Sequence, residues 1–351
     1  TQQNIPTSVG AYNTYAIVVN RNPVLNSVTT PFDSIDNNLY EVTTTGGWAN
    51  VGYTVLNNYT SVSEWASFTG YDRNSIVTRP FFENDTTLVT SNGAATRYAS
   101  AGRSMTSFDV LGNARPAANS SIGAYQFTQN TANALAPLVG GATYSINGVD
   151  AWPTNANPTT GSFASLTSFI NHLNSFGTSG SGLINVVFNA GFTNVAIVPP
   201  AIMPYPGMSG TRPIKLSSSL PVNITIPNGA SICNNSALIK LYGASFFEID
   251  GSASKTITIS LPASANSAQA KLIALIPTLS HTTSSIAIRN CILTGSSTNA
   301  LNNTLAAVYM GASNNPTGLA SAIGGANINN FIGDNIIQSV RHGIYWRAMA
   351  G

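Results

Sequence analysis

Only 7% of the 351 residues are charged, against about a quarter in an average soluble domain, while 43% are hydrophobic, enough to build sizeable cores. The formal charge of +2 is spread without any run of Lys or Arg, which argues against nucleic acid and anionic membrane partners, since both need a concentrated basic face. No stretch reaches the eighteen or so apolar residues of a membrane span, so direct membrane insertion is not expected. The surface must be covered by Asn, Ser, Thr and Gly on many short strands joined by turns.

In chain order, residues 14–20 form the first strand candidate, bounded by Asn20. Residues 33–40 run from a polar turn into Leu39-Tyr40, and Gly46-Gly47 breaks the chain before Trp48. Val62, Trp65 and Phe68 recur at helical spacing and predict a turn or two of helix, stopped by Gly70. Extended chain resumes at Arg79-Pro80-Phe81-Phe82, because the residue before proline avoids the helical region. The stretch from Phe108-Asp109 through Gly112, Arg115 and Pro116 to Gly123-Ala124-Tyr125 reads as an ending. Asp109 and Arg115 are its expected turn pair. Residues 128–142, with Pro137 and Gly140-Gly141, read as a linker.

A new unit begins at Thr143-Tyr144-Ser145-Ile146. Phe163, Leu166, Phe169, Ile170 and Leu173 then form an apolar stripe that predicts a helix over 163–176, with Ser162 as N-cap and Gly177 as its stop. His172 is expected on the solvated side of that helix.

The C-terminal half carries an internal repeat. Ile239, Ile273, Val308 and Ile344 mark four similar strands at steps of 34, 35 and 36 residues. A second series interleaves with it: 247–251, 286–290 and 331–335. Ile239/Leu241, Ile273/Leu275 and Ile286/Ile288 are expected to stack as aliphatic columns, with 295–303 and 314–325 as outer loops. The second series places Asp250 and Asp334 at equivalent positions.

The ordered motifs Asn38-Leu39-Tyr40, Ser63-Glu64-Trp65, Thr69-Gly70-Tyr71-Asp72, Pro80-Phe81-Phe82, Asp109 to Arg115-Pro116 and Ile122-Gly123-Ala124-Tyr125 resemble the last coils of right-handed parallel β-helix domains in large secreted bacterial proteins. Residues 143–188, Arg212-Pro213-Ile214 and Phe246-Phe247-Glu248-Ile249-Asp250-Gly251 look like the start of a second such domain. They are similar to cell-surface proteins of Bacteroidetes exported by the type IX route. The resemblance implies an all-β fold of tandem right-handed parallel β-helix (solenoid) domains with a short capping helix. Residues 1–127 would be the final coils and cap of one domain, 128–142 a linker, and 143–351 the cap and first coils of the next, cut before its end. Asp109, Gly112, Arg115, Pro116, Gly123 and Tyr125 would form one cap, with Trp65, Phe68, Phe81 and Phe82 as plugs. Phe163, Leu166, Ile170 and Leu173 would form the other cap.

Candidate chemistry is sparse. Glycoside hydrolysis needs a carboxylate pair, and the second unit offers only Asp150, Glu248, Asp250 and Asp334. Arg341-His342-Gly343 faintly resembles the His-Gly of β-helix pectin hydrolases, without their neighbouring acids. His281 and His342 have no Cys or carboxylate cluster, so no metal and no cofactor is expected. Cys233 and Cys291 could pair, though two buried thiols are the simpler reading. If the source is a Bacteroidetes bacterium, Asp33-Ser34-Ile35 and Asp85-Thr86-Thr87 resemble its O-glycosylation sequence, which implies glycans on Ser34 and Thr86. The function expected is a structural, adhesive segment of a long extracellular cell-surface filament, of the SprB-like gliding-motility kind. Its partners would be neighbouring domains of the same chain and surface polysaccharide or other cell-surface components. A secreted polysaccharide lyase or hydrolase and a phage tail fibre are the alternatives.

Overall fold

In the computed structural model, residues 13–19, 35–36, 38–40, 48–54, 57–59, 62–69, 71–72, 75–77, 99–100, 107–115, 120–121, 135–189, 199–226, 237–262, 270–277, 281–296, 304–311 and 326–346 are described. Among them the fold is mostly strands in parallel sheets, with two helices.

The N-terminal part pairs strand Asn13–Val19 in parallel with Trp48–Thr54, and Leu39–Tyr40 with Ile76–Val77. Helix α1, Val62–Thr69, packs on the 48–54 strand. Val62 and Trp65 from the helix close over Val51 and Tyr59, with the Tyr59 and Trp65 rings edge to face at 5.3 Å. A buried carboxylate ties these pieces together. Asp72 accepts hydrogen bonds from Trp65 Nε1 (2.9 Å), Tyr40 OH (3.1 Å), Ser75 Oγ (2.6 Å) and Asn38 Nδ2 (3.0 Å). Four donors replace the water that burial removes. Burial, together with the neighbouring Asp72 carboxylate, pushes the Tyr40 phenol well above its usual range.

In the C-terminal part three parallel sheets take strands in strict rotation. Sheet A contains Thr143–Ile146, Ser162–Phe163, Ile184–Phe188, Ile214–Ser218, Phe247–Asp250, Ala287–Arg289 and Phe331–Gly333. Sheet B contains Val222–Thr225, Ile257–Ser260, Cys291–Thr294 and Ile336–Gln338, and sheet C contains Ala237–Tyr242, Lys271–Ile276, Ala306–Met310 and His342–Trp346. From residue 214 onward the chain visits A, B and C in turn, and each strand lies beside the strand of the same sheet from the next round. The expected series is met residue for residue in sheet C, where Ile239 stands beside Ile273, Ile273 beside Val308 and Val308 beside Ile344. Ile286 and Ile288 do not join that column. They belong with sheet A, where Ile288 lies beside Ile249 and Ile332. The inward residues of all three sheets, such as Leu216, Ile249, Ile224, Ile259, Leu241 and Leu275, meet in one buried cluster.

The corners repeat in the backbone more than in the side chains. Phe246, Ser285 and Asn329 enter sheet A with φ of 59°, 55° and 55°, and Asn290 and Asp334 leave it with φ of 56°. Side-chain amides carry the ladder around these corners. Asn335 Oδ1 accepts from Cys291 N at 2.8 Å while its Nδ2 donates to Ile288 O at 2.8 Å.

Helix α2, Leu166–Phe176, buries Leu166, Phe169, Ile170 and Leu173 against this cluster. Its N-cap is Ser165, whose hydroxyl accepts from Ser168 N at 3.0 Å, and not the expected Ser162. Ser162 and Phe163 instead form a short strand of sheet A beside Ser145 and Ile146, so the helix begins later than the apolar spacing suggests. Gly177 ends it, at φ 67°. Asn174 pins the segment that follows, donating to Ala201 O and accepting from Met203 N. Within the stretch expected as a linker, Ala136, Leu138 and Ala142 are buried, and Leu138–Val139 pairs with Thr178–Ser179.

Candidate functional site

The three sheets present different faces to the outside. Sheet A alternates buried and half-buried residues, and its outward side carries the densest charge. Lys215 stands beside Glu248, and Asp250 beside Arg289. Lys215 Nζ donates to Asp250 Oδ2 at 2.6 Å and lies 3.7 Å from Glu248 Oε1. Arg289 Nε donates to Glu248 Oε1 at 2.7 Å, and its Nη2 reaches the same oxygen and, at 3.4 Å, Asp250 Oδ2. Asn290 Nδ2 and Ser252 N also donate to Asp250 Oδ1, each at 2.9 Å. Burial alone would raise the Asp250 pKa. The hydrogen bonds from Lys215, Asn290 and Ser252 N override it and hold the carboxyl at about 2. The Arg289 guanidinium is shifted up by its hydrogen bond and charge pairing with Glu248.

The sequence expectation that Asp250 and Asp334 are equivalent is overturned by register. Asp250 lies beside Arg289, and Arg289 beside Gly333. The structure pairs the last strand one residue away from the expected alignment, so each of its side chains faces opposite to that expectation. Ile332 therefore points to the core and Phe331 turns outward, 52% exposed. Asp334 sits at the corner, where its carbonyl accepts from Lys255 Nζ at 2.6 Å.

Sheet B, absent from the sequence expectation, shows Asn223, Thr225, Thr258, Ser260 and Thr294 on its outward side. Its signal was the alternation in Val222-Asn223-Ile224-Thr225 and Ile257-Thr258-Ile259-Ser260, too short to separate from turns. Cys291 fills an inward position beside Ile257. Burial pushes its thiol up to about 12, and Sγ donates to Arg289 O at 3.1 Å. It is a free, buried thiol. Cys233 lies outside the described residues.

Strands 237–242 and 271–276 of sheet C are buried at every position. A second apolar cluster there joins Ala201, Met203, Tyr242, Ala274, Ile276 and Tyr309. Lys271 is wholly buried in it, its Nζ 4.7 Å from the centre of the Tyr309 ring. Burial lowers its pKa to about 7.

The remaining expected residues are placed as follows. Asp109 is buried and organises a turn, accepting from Leu111 N (2.9 Å), Asn113 N (2.7 Å) and Asn113 Nδ2 (3.0 Å). Gly112 provides the positive φ of 81° that this turn requires, and Arg115 N donates to Ser107 O at 2.9 Å. Phe108, Val110 and Leu111 are exposed at its tip. Trp65 is fully buried. Pro116, Gly123, Tyr125, Phe81, Phe82, Ser34 and Thr86 lie outside the described residues, as does the side chain of Phe68. Asp150 Oδ1 accepts from Trp152 Nε1 (2.6 Å), Ala164 N (2.8 Å) and Ser168 Oγ (2.5 Å), which fixes the approach to α2. His172 is not solvated as expected. It is buried beside the Phe163, Phe176 and Trp152 rings, with Nε2 3.0 Å from Ala136 O. The 135–142 segment folds over that side of the helix, which helical periodicity alone does not reveal.

Among the described residues no three His, Cys, Asp or Glu side chains gather as metal ligands, and no helix is long and apolar enough to cross a membrane. No family model, curated protein or solved structure matches this sequence.

Proposed function

We propose that this chain is a structural, adhesive segment of a large secreted cell-surface filament or adhesin, with its rotating strands wound as coils of tandem right-handed parallel β-helix domains. The observation that carries the reading is the unbroken register of sheet C. Ile202, Leu241, Leu275, Met310 and Trp346 follow one another down a single column. A core that repeats in this way lengthens by adding rungs, each contacting only its neighbours, which suits a stiff stalk. The acids support the same reading, because Asp150, Glu248 and Asp250 are engaged in hydrogen bonds and ion pairs that hold strands and corners together.

The partners in this reading are neighbouring domains of the same chain and surface polysaccharide or other cell-surface components. In this reading the protein works outside the cell, in gliding motility or surface attachment. Solution scattering of the whole chain is expected to give an elongated particle. Incubation of the native protein with a panel of polysaccharides is expected to leave them intact, and turnover of any one would overturn the proposal.

A further inference from the structure

The last sheet A strand places an aromatic ring, Phe331, on the outward side, in the column where the earlier strands carry Lys215, Glu248 and Ala287. Phe331 points outward beyond Ala287, and its ring folds along its own strand over Gly333. A Cβ placed on Gly333 would come within 2.5 Å of the ring Cζ, so the glycine leaves the room that the ring occupies over the strand. On the next rung Ala287 contributes only a methyl. Glu248 stands on the far side of Ala287, two rungs or about 10 Å from Phe331. Arg289 borders the same floor, held by Glu248 and Asp250, with 41% of its side chain exposed. The floor is thus shallow, with an aromatic plate at one edge and fixed charged hydrogen-bonding groups at the other.

We infer that this floor is a binding site for a neutral polysaccharide, in which Phe331 carries the apolar face of one pyranose ring and Glu248 and Arg289 take hydroxyls of the next. The chemistry favours a sugar for three reasons. The plate is the size of one ring, far below the roughly 800 Å² per partner that a stable protein interface needs. Its polar groups are already oriented by their ion pairs, so they bind without much loss of side-chain freedom. The two cations Lys215 and Arg289 are balanced by the two anions Glu248 and Asp250, which gives no net field for an anionic ligand. The site deepens the adhesive reading by naming what the stalk holds, and it rests on that reading only for its biological role.

The whole chain is run through gels containing barley β-glucan, galactomannan or arabinogalactan, with alginate as the anionic counterpart. At least one neutral polymer is expected to retard it. Phe331→Ala and Phe331→Leu are each expected to weaken that retardation tenfold or more. Gly333→Ala keeps the ring but lifts it from the sheet, and is expected to weaken retardation as well. Thr258→Ala, on sheet B, is expected to leave it unchanged. Circular dichroism and the melting midpoint confirm that each variant is folded, and Phe331→Leu retains apolar bulk if the alanine variant fails that check. The inference falls if no neutral polymer retards the wild-type chain, if alginate alone does, or if folded Phe331 variants migrate as wild type. In those cases an elongated particle in scattering leaves the stalk reading standing, whereas degradation of a gel polymer overturns the stalk reading instead.

Discussion

Lys215 and Lys271 both belong to strands of parallel sheets, and they live under opposite rules. Lys215, on sheet A, stays partly exposed and is satisfied by Asp250 and Glu248. Lys271, on sheet C, is wholly buried against Tyr309 in an apolar cluster. The sequences around them already differ. Ile214-Lys215-Leu216-Ser217 alternates, as a strand with one open face should, whereas Lys271-Leu272-Ile273-Ala274-Leu275-Ile276 is an almost continuous apolar run, as a strand covered on both faces should be. A sheet with one open face can accommodate charge by pairing it. A sheet covered on both faces must either neutralise a charge or lose stability to it.

That contrast can be broken at several points. The largest effect is expected from Tyr309→Ala, which removes the ring over Lys271 and leaves a cavity in the cluster. Chemical denaturation should show a loss of about 3–5 kcal/mol. Lys271→Met should act in the other direction. The folded pKa of Lys271 is lowered to about 7, so between pH 7 and the ordinary lysine range the unfolded chain holds a proton that the folded chain has lost. Stability should therefore rise with pH across that window, at about 1 kcal/mol per pH unit. The methionine variant should be more stable than wild type at pH 6 and should lack the rise. A melting series that rises equally in both proteins would count against the buried lysine as its source.

On sheet A, Asp250→Asn should cost about 1–3 kcal/mol at neutral pH, because it removes the more buried of the two anions that Lys215 and Arg289 share. The sign of the pH dependence is opposite to that of Lys271. The Asp250 pKa is depressed to about 2, so its contribution is fully present above the ordinary aspartate range and is lost as pH falls from about 4 toward 2. Wild type and Asp250→Asn should accordingly converge in acid melts. The smallest effect is expected from Lys215→Ala, under about 1 kcal/mol and weaker still in high salt, because Lys215 is partly exposed and Arg289 remains to pair both Glu248 and Asp250.

Legibility in the sequence followed the same division. The sheet C series was readable because continuous apolar runs at steady intervals stand out from an Asn- and Ser-rich background, and Ile239, Ile273, Val308 and Ile344 do lie in register. The helix was readable from Leu166, Phe169, Ile170 and Leu173, although its cap was not. Sheet A was half readable. The match of 247–251 to 286–290 held, but 331–335 was placed one residue out of register, and with it the faces of Phe331 and Asp334. Sheet B, with strands of three or four residues, gave too little alternation to notice.

By itself, then, the sequence determined the strands and spacing of the sheet C series and the stripe of the helix, because those depend on local periodicity and on apolar residues needing a core. The tertiary structure alone decided which residue faces which. Corners such as Phe246, Ser285 and Asn329 share a left-handed backbone without sharing a residue type, so nothing in the sequence marks where each rung restarts. Counted from the corner at Asn329, Ile332 falls inward beside Ile288 and Phe331 stays on the surface. The apolar run around Lys271 marks a strand covered on both faces, but only the fold sets the Tyr309 ring over its ammonium.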